Sequence, residues 1–266
     1  MTADSALNDS SRDTLERAIA DAEAARAHAE RAARVCEDLL TTVSHELRNP
    51  LSTITAGVAL LERLAGDDEN GGRIRKYAAT MTRSADRMNR LVNDLLDFAN
   101  IREGKLSIQR AVVPVAALID ESVEVFRPVA STTGVHLTGT SPDGLLVCCQ
   151  RDRVLQVLAN LIGNALKFTP AGGRVHLEAA QAGSEVQFSV ADTGSGIAAA
   201  ELPHLFDRFW QGRRGQGRDG FGLGLFIVKG LVDAHDGRVW AHSTVGVGTT
   251  FYFALPADAS GDDTIE

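Results

Sequence analysis

A helical periodicity that persists from Leu15 to Phe98 constrains the fold of this chain more than any other feature of its sequence. Within residues 15–43, apolar side chains recur at alternating spacings of three and four with charged residues between them, which is the heptad pattern of a coiled coil. Most of these positions are alanines, which favour a helix but bury little area, so a single solvated helix is the alternative. The sequence predicts a coiled coil in this first segment.

The same spacing continues in residues 51–64 and again in residues 74–98. Residues 66–72 separate the two stretches and consist of glycines, acidic residues and one asparagine, a composition typical of a turn. Two long helices joined by a short loop form an antiparallel hairpin. A single hairpin leaves its apolar stripe uncovered, so we expect a homodimer in which two hairpins form a four-helix bundle.

After Gly104 the pattern changes to strands mixed with helices. Strand-like runs rich in branched and aromatic residues occupy 106–113, 135–138, 145–149, 175–180, 186–191, 239–243 and 249–255. Helix-like runs occupy 115–129, 152–167 and 223–234. This order lacks the strict alternation of a doubly wound parallel sheet, so the sequence predicts an α/β sandwich with its own core.

Charge and hydropathy exclude two classes of partner. The net charge is −8 and no stripe of Lys and Arg offsets it, so we expect no nucleic acid. No apolar run approaches the roughly 18 residues of a membrane span and no signal peptide is recognisable, so we expect a soluble, cytoplasmic protein without membrane insertion. Cys36, Cys148 and Cys149 have neither metal-ligand nor disulfide spacing, and we expect reduced, mostly buried thiols.

Residues 44–50 read Ser-His-Glu-Leu-Arg-Asn-Pro and place an imidazole, a carboxylate and a guanidinium close together on a predicted helix. His45 shares a helical row with Asn49, and Glu46 lies one step round the helix. The apolar row of this helix passes through other positions, so His45 points away from the core stripe. A lone helical histidine is more often an ordinary surface residue, but in this company it is a candidate reactive centre.

Two asparagines on a later predicted helix form a second candidate site. Asn160 and Asn164 lie four residues apart, and Lys167 follows three residues further along the same row. Amide oxygens suit a hard cation such as Mg²⁺ that keeps several waters and is shared with substrate phosphates. Lys167 would add a phosphate contact. The alternative is that the two asparagines only pack against a loop.

Two glycine-rich segments complete the set of motifs. Asp192 follows a predicted strand, and Gly194 and Gly196 after it let a ligand reach the backbone, which suits recognition of the amino group of a base. The second segment opens a predicted helix with three alternate glycines, Gly220, Gly222 and Gly224. Backbone amides at a helix N-terminus bind phosphate. The segment matches neither the P-loop nor the dinucleotide fingerprint.

In this order, the motifs resemble the catalytic core of two-component sensor histidine kinases over residues 41–256. The matching segments are 44–51 (phosphoacceptor box), 160–167 (asparagine box), 192–196 and 220–225 (first and second glycine boxes), 206–209 (phenylalanine box of the mobile lid) and 246–251 (closing strand). The resemblance implies an α plus α/β fold, with a helical-hairpin dimerisation domain followed by a GHKL-type ATP-binding domain.

The resemblance also implies a mechanism in which ATP and Mg²⁺ bind the second domain and a ring nitrogen of His45 attacks the γ-phosphorus. Glu46 would accept the other proton of the imidazole. Asp192 would contact the adenine, and Asn164, helped by Asn160, would hold the Mg²⁺. Thr249 would complete the nucleotide site.

Lys167 and two lid residues, Arg213 and Arg214, are candidates to steady the phosphates. The phosphoryl group would then pass to an aspartate of a separate response regulator, because the chain contains no receiver domain. Asn49 stands where such kinases use Thr or Asn for phosphatase activity, which implies that the chain also dephosphorylates its regulator. No sensor domain is recognisable before the hairpin, so a separate sensor protein at the N-terminal helix is a further candidate partner.

The expected domains are an N-terminal signalling helix (1–38), a dimerisation and phosphotransfer domain (39–103), a catalytic ATP-binding domain (104–258) and a disordered tail (259–266). Two other function classes remain open. An ATP-driven clamp is conceivable because the second domain alone also resembles those of DNA gyrase, mismatch-repair ATPases and heat-shock chaperones. A non-catalytic phosphotransfer or scaffold protein would require a degenerate nucleotide site.

Overall fold

The computed structural model of the chain describes residue 47 and residues 50–66, 68–210 and 222–257. The predicted coiled coil, the tail 259–266 and the site residues His45, Glu46, Asn49 and Gly220 lie outside these ranges, as do the lid residues Arg213 and Arg214. The chain divides into two compact units, Met1–Ala99 and Asn100–Glu266. No helix within the described ranges is both long and apolar enough to cross a membrane.

The first unit contains the predicted helical hairpin. Residues 50–64 form helix α1, and helix α2 spans Glu69–Arg102. The expected turn at 66–72 is shorter than the sequence indicated, because α2 already begins at Glu69. Asp68 explains the early start: its Oδ1 accepts a hydrogen bond of 2.7 Å from the backbone N–H of Gly71, which is how a helix N-cap satisfies a free amide.

The two helices pack through one face of each. Leu51 of α1 lies in a buried cluster with Ala85 and Val92 of α2, and Leu96 packs against this cluster. Val58 is also buried. The predicted apolar stripe is therefore wider than the surface that the two helices bury against each other. The remaining large apolar side chains of the hairpin are exposed: Leu47, Ile54, Leu60, Leu61, Leu64, Ile74, Tyr77, Met81 and Met88.

The second unit contains seven strands and three α-helices within its described residues. Their order is β1 (Ala111–Pro114), α3 (Val115–Thr133), β2 (His136–Thr140), β3 (Leu146–Cys149), α4 (Arg151–Phe168), β4 (Arg174–Ala182), β5 (Glu185–Asp192), α5 (Gly224–Ala234), β6 (Arg238–Thr244) and β7 (Gly248–Pro256). A short 3-10 helix, Leu202–His204, follows β5. The predicted order of strands and helices is confirmed.

Five of these strands form a mixed sheet in the order β2-β4-β5-β7-β6, and β1 and β3 form a separate antiparallel pair. Only the β2 to β4 pairing in the larger sheet is parallel. Alternate residues of the central strands are buried, and the rings of Phe188 and Phe253 stack with centroids 4.6 Å apart. Helices α3, α4 and α5 cover this apolar face, so the unit is a two-layer α/β sandwich.

In the second unit, two element boundaries differ from the sequence prediction by four or five residues. The first strand was expected over 106–113, but β1 starts at Ala111 because its partner β3 offers only four residues for pairing. Helix α3 was expected to end at 129, but it continues through Pro128 to Thr133 and stops at Gly134, whose φ of 70° is left-handed. Gly134 donates its backbone N–H to the last turn and so terminates the helix.

The vicinal thiols on β3 are buried, as expected. Cys148 and Cys149 are both free and buried. Burial, with the neighbouring Cys148 thiol, raises the pKa of Cys149 to about 12. A thiol with so high a pKa has almost no thiolate at neutral pH, so Cys149 behaves as a core residue and does not react readily with oxidants.

A buried histidine joins α4, α5 and the strand β3 in the second unit. His235, with 1% of its surface exposed, follows α5. Its Nδ1 donates to the carbonyl of Leu231 at 2.7 Å, and its Nε2 accepts from the backbone N–H of Gln150 at 3.1 Å. The imidazole is therefore neutral and holds the start of α4 against the end of α5. Burial lowers the pKa of His235 below its ordinary value.

We expect His235 to make the folded state less stable in mild acid. The unfolded chain protonates this histidine below about pH 6.5, whereas the folded chain keeps it neutral to a lower pH. Because the unfolded state then binds more protons, the free energy of unfolding decreases as the pH is lowered. A His235→Gln variant, which keeps a donor and an acceptor without titrating, should be less stable at about pH 7.5 but should lose less stability on acidification. The difference accumulates as the pH falls from about 6.5 towards the lower pKa of the folded chain, at a rate of at most about 1.4 kcal/mol per pH unit.

Urea unfolding followed by tryptophan fluorescence measures this effect, since Trp210 and Trp240 both lie in the second unit. Other groups also titrate in this range; burial raises the pKa of Asp94 to about 6. Their contributions are common to both proteins and cancel in the comparison. Equal losses of stability in the two proteins would show that His235 is not buried as a neutral group.

Candidate functional site

Three polar side chains form a row across the end of the sheet. In the strand register Asp192 of β5 lies directly opposite Thr249 of β7, and Thr249 lies directly opposite Ser243 of β6. Paired residues project from the same face of a sheet. This face carries the core, since Val190 and Phe251, two residues away on their strands, are buried. The row is therefore on the helical side of the sheet.

Asp192 is held by two backbone amides that both use the same oxygen. Its Oδ1 accepts a hydrogen bond of 2.8 Å from Gly194 and one of 3.3 Å from Thr249. In the described part of the chain, Oδ2 accepts none. Burial raises the pKa of Asp192, and the two hydrogen bonds oppose that shift. The carboxylate is thus fixed in orientation with one oxygen available to accept from a ligand.

The loop after Asp192 passes through spaces that only glycine fits. A side chain on Gly194 would place its Cβ 2.6 Å from the carbonyl oxygen of Phe168, at the end of α4. Gly196 has a left-handed φ of 66°, and its Cβ would lie 2.1 Å from the carbonyl oxygen of Thr244. The loop is consequently pressed between α4 and the turn that joins β6 to β7.

Helix α4 carries the predicted asparagine row. Asn160 and Asn164 are half-buried and Lys167 is exposed, whereas the opposite face of α4 is buried against the sheet. A Cβ on Gly224 would lie 3.1 Å from Oδ1 of Asn160. The asparagine row therefore meets the second glycine segment at the N-terminus of α5, which the sequence alone did not predict.

The second glycine segment is also constrained at Gly222. Its φ is 71°, and its Cβ would lie 2.6 Å from the carbonyl oxygen of Trp210. Trp210 and Gly222, the described residues on either side of 211–221, are thus adjacent. Before that segment, in the Phe206–Phe209 motif, Oδ2 of Asp207 lies 2.9 Å from Nδ1 of His204. Phe209 has a positive φ of 57° and is 57% exposed.

One helix connects the two halves of the candidate site. The C-terminal end of α4 contacts the loop after Asp192, and Asn160 contacts the start of α5. Asn160 and Phe168 are eight positions apart, which separates them by about 12 Å along the helix axis, a span that an extended nucleoside triphosphate can bridge. A hydrogen-bond acceptor for a base lies at one end, and a helix N-terminus that attracts anions lies at the other.

Sequence reasoning missed Ser243, which bonds to both the loop and Thr249. The backbone N–H of Ile197 donates to its Oγ at 2.8 Å, and Oγ of Thr249 lies 2.8 Å away. The signal was available only indirectly: pairing β6 with β7 around the glycines at 246 and 248 places residue 243 opposite 249. The predicted site residues of the second unit that the structure describes lie on α4, at the end of β5 and in the loop after it, at or just before the start of α5, and, for Thr249, on β7.

Two protein-family models match separate parts of this chain. Residues 37–104 match the His Kinase A (phospho-acceptor) domain. Residues 149–259 match the family described as Histidine kinase-, DNA gyrase B-, and HSP90-like ATPase. The first match includes His45, and the second includes every candidate site residue from Asn160 to Thr249.

Two curated proteins with similar sequences are sensor proteins. Sensor protein DivL of Caulobacter vibrioides is 39% identical over 243 residues, covering 91% of this chain and 30% of DivL. Sensor protein SrrB of Staphylococcus aureus is 34% identical over 223 residues, covering 83% of this chain and 38% of SrrB. This chain thus spans well under half the length of these relatives.

Solved structures resemble both parts of the chain. Full-length ShkA in complex with AMPPNP superposes with a TM-score of 0.67 at 34% identity, over 84% of this chain and 47% of that chain. A nucleotide-free catalytic domain of the histidine kinase ThkA superposes with a TM-score of 0.51 at 26% identity, over 56% of this chain and 96% of that chain.

Proposed function

Because this chain belongs to the two-component sensor histidine kinases, we propose that it uses ATP to phosphorylate its own His45. The observation that carries the proposal is that α4 contacts both ends of the candidate site. At one end the Asp192 carboxylate can accept a hydrogen bond from a base, and at the other the N-terminus of α5 attracts anions. That combination suits a nucleotide whose base and phosphates must both be held. The phosphoacceptor match at 37–104 supplies the histidine.

At the base end, Asp192 would accept a hydrogen bond from the adenine 6-amino group through Oδ2. Its Oδ1 is already committed to Gly194 and Thr249, so the carboxylate cannot rotate without losing both bonds. Gly194 and Gly196 leave room for the base beside the backbone. At the other end, the first amides of α5 from Gly224 would bind phosphate oxygens, with Gly220 and Gly222 in the preceding segment.

The asparagine row fits a bound Mg²⁺. Neutral amide oxygens of Asn164 and Asn160 are hard ligands, and Asn160 stands beside the helix N-terminus where phosphates would lie. Mg²⁺ would supply charge neutralisation for the triphosphate. Lys167 projects from the same face of α4 and would contact a phosphate as a point charge. We assign the same supporting role to the lid residues Arg213 and Arg214.

In the reaction we propose, a ring nitrogen of His45 attacks the γ-phosphorus, the bond to the bridging oxygen breaks, and ADP leaves. Glu46 accepts the proton from the other ring nitrogen, which keeps the imidazole neutral enough to act as a nucleophile. The phosphoryl group then moves to an aspartate of a separate response regulator. Asn49, one helical turn beyond His45, would position a water to hydrolyse the phosphorylated regulator.

The experiment is to incubate the protein with Mg²⁺ and γ-labelled ATP and test the stability of the labelled product. A phosphohistidine is labile in acid and stable in base, and α-labelled ATP should give no product. An ATP-driven clamp would hydrolyse ATP without retaining label, and a non-catalytic phosphotransfer or scaffold protein would neither bind nor hydrolyse ATP. Each class therefore predicts a different result.

We further propose that two copies of the hairpin associate, with residues 39–103 as the dimerisation and phosphotransfer domain and 104–258 as the catalytic domain. The exposed apolar side chains of α1 and α2 support this, because a monomeric hairpin would leave them in water. The signalling helix (1–38) would continue into the hairpin and receive input from a separate sensor protein.

A Tyr77→Glu, Met81→Glu double variant should raise the dissociation constant of the dimer by about 100-fold or more, since both side chains are exposed apolar residues on one face of α2. Light scattering over a dilution series measures this. The matched control is Arg83→Glu, which changes the net charge of the chain by the same amount as the double variant. Arg83 is exposed and lies on the other side of the same helix. Dimers of unchanged affinity in the double variant would place the interface elsewhere.

A further inference from the structure

The hydroxyl of Ser243 makes three contacts at the candidate adenine site. Its Oγ lies 2.8 Å from the backbone N–H of Ile197, 3.0 Å from the carbonyl oxygen of Gly248 and 2.8 Å from Oγ1 of Thr249. Ser243 is half-buried and Thr249 is 5% exposed. The Thr249 hydroxyl therefore has little access to water as an alternative partner.

Only one assignment of protons makes all three contacts hydrogen bonds. The amide of Ile197 can only donate, and the carbonyl of Gly248 can only accept. Ser243 has a single hydroxyl proton, so it must donate that proton to Gly248. The contact with Thr249 then requires Thr249 to donate to Ser243. The direction of the Thr249 hydroxyl is thus set by Ser243, and its lone pairs are left facing away from that bond.

This direction matters because Thr249 stands directly beside Asp192 in the strand register. Asp192 presents a carboxylate oxygen, which only accepts when ionised. A Thr249 hydroxyl whose proton is committed to Ser243 also presents only an acceptor. Two adjacent acceptors suit the two hydrogens of a 6-amino group and repel the carbonyl oxygen that hypoxanthine or guanine carries at the same position.

We propose that Ser243 is a positioning residue that makes the site selective for 6-aminopurines by holding the Thr249 hydroxyl as an acceptor. The inference rests on the proposed nucleotide site and assigns part of its specificity to a residue that does not touch the base. Without Ser243, the Thr249 hydroxyl rotates and can donate to a 6-carbonyl oxygen. The penalty against a 6-oxopurine then falls, because one of the two repelling acceptors has become a donor.

The test compares ADP with inosine diphosphate, which differs only in exchanging the 6-amino group and N1 acceptor for a carbonyl and an N1–H. Calorimetry on the full chain gives both dissociation constants and their ratio. Ser243→Ala should lower the preference for ADP by about tenfold, and Ser243→Thr, which keeps the hydroxyl, should retain it. Ser189→Ala, at a half-buried serine on β5, the strand on the other side of β7, is the matched control and should change neither constant.

A double-mutant cycle shows whether Ser243 acts through Thr249. In a Thr249→Val background there is no hydroxyl to orient, so adding Ser243→Ala should leave the ratio of the two constants unchanged. If Ser243→Ala does not fold, Ser243→Cys replaces it, since a thiol accepts weakly and should also lower the preference.

The outcomes separate this inference from the proposed function. A native chain that binds neither nucleotide would overturn the proposed function. If Ser243→Ala weakens ADP and inosine diphosphate equally, or lowers the ratio equally in both backgrounds, the nucleotide site stands. In those cases the serine supports only the loop at Ile197, and the positioning role is wrong.

Discussion

A His45→Gln variant should retain no label from γ-labelled ATP, while it binds ATP as tightly as the native chain. Glutamine has an amide of similar length but no nucleophilic nitrogen, so no phosphoramidate can form. Nucleotide binding should survive because the described residues of the candidate site all lie in the unit Asn100–Glu266, whereas residue 45 belongs to Met1–Ala99. Labelling should therefore fall to background with an unchanged dissociation constant for ATP.

His136→Gln is the matched control for this measurement. His136 is an exposed histidine at the start of β2, on an edge of the sheet and outside every candidate motif. This variant should label at the native rate. Labelling of His45→Gln at a comparable rate would mean that another side chain is the acceptor, and the acid and base stability of that product would identify its chemical class.

Replacing Asp192 by Asn should weaken ATP binding by at least about 100-fold, and labelling should fall in proportion at low ATP concentration. The amide oxygen of Asn can take the place of Oδ1 and keep the bonds from Gly194 and Thr249. The amide NH₂ then replaces Oδ2. It points a donor at the adenine amino group, which is also a donor, so the attraction becomes a repulsion.

This substitution should leave the fold intact. Burial already disfavours the charged form of Asp192 by raising its pKa, so a neutral amide that keeps both backbone bonds is no more difficult to bury. Fluorescence-monitored unfolding and calorimetry with ATP separate stability from binding. Asp143→Asn, the same change at an exposed turn of the same unit, is the control. Native affinity in Asp192→Asn would show that the base binds elsewhere.

Much of the fold could be predicted from periodicity. The spacing of three and four in residues 51–64 and 74–98 predicted a hairpin, and the switch to period two after Gly104 predicted an α/β sandwich in the observed order of elements. These signals are local: a helix or strand with one apolar face must bury that face, whatever covers it. The motifs carried by Asn160, Asp192 and Gly224 were recognisable because each is formed by residues close together in the sequence.

The boundaries of elements depended on contacts that the local pattern does not contain. Helix α2 begins early because Asp68 caps it, and β1 is short because β3 is short. The division of the apolar stripe into a buried inner face and an exposed outer face likewise required the packing of α1 on α2. Periodicity shows that a residue is apolar on one side of a helix, but it does not show which neighbour covers that side.

What the sequence by itself determined is the set of chemical groups and the elements that carry them. Only the tertiary structure decided that Asn160 meets the start of α5, and that Asp192, Thr249 and Ser243 stand in one row. The pairs Asp192–Thr249 and Thr249–Ser243 join residues of three strands. A shift of one residue in the register of a strand would turn each of its side chains to the other face of the sheet. Register is set by the burial of the whole sheet, so a serine with no motif of its own acquired its hydrogen-bond partners only when the strands assembled.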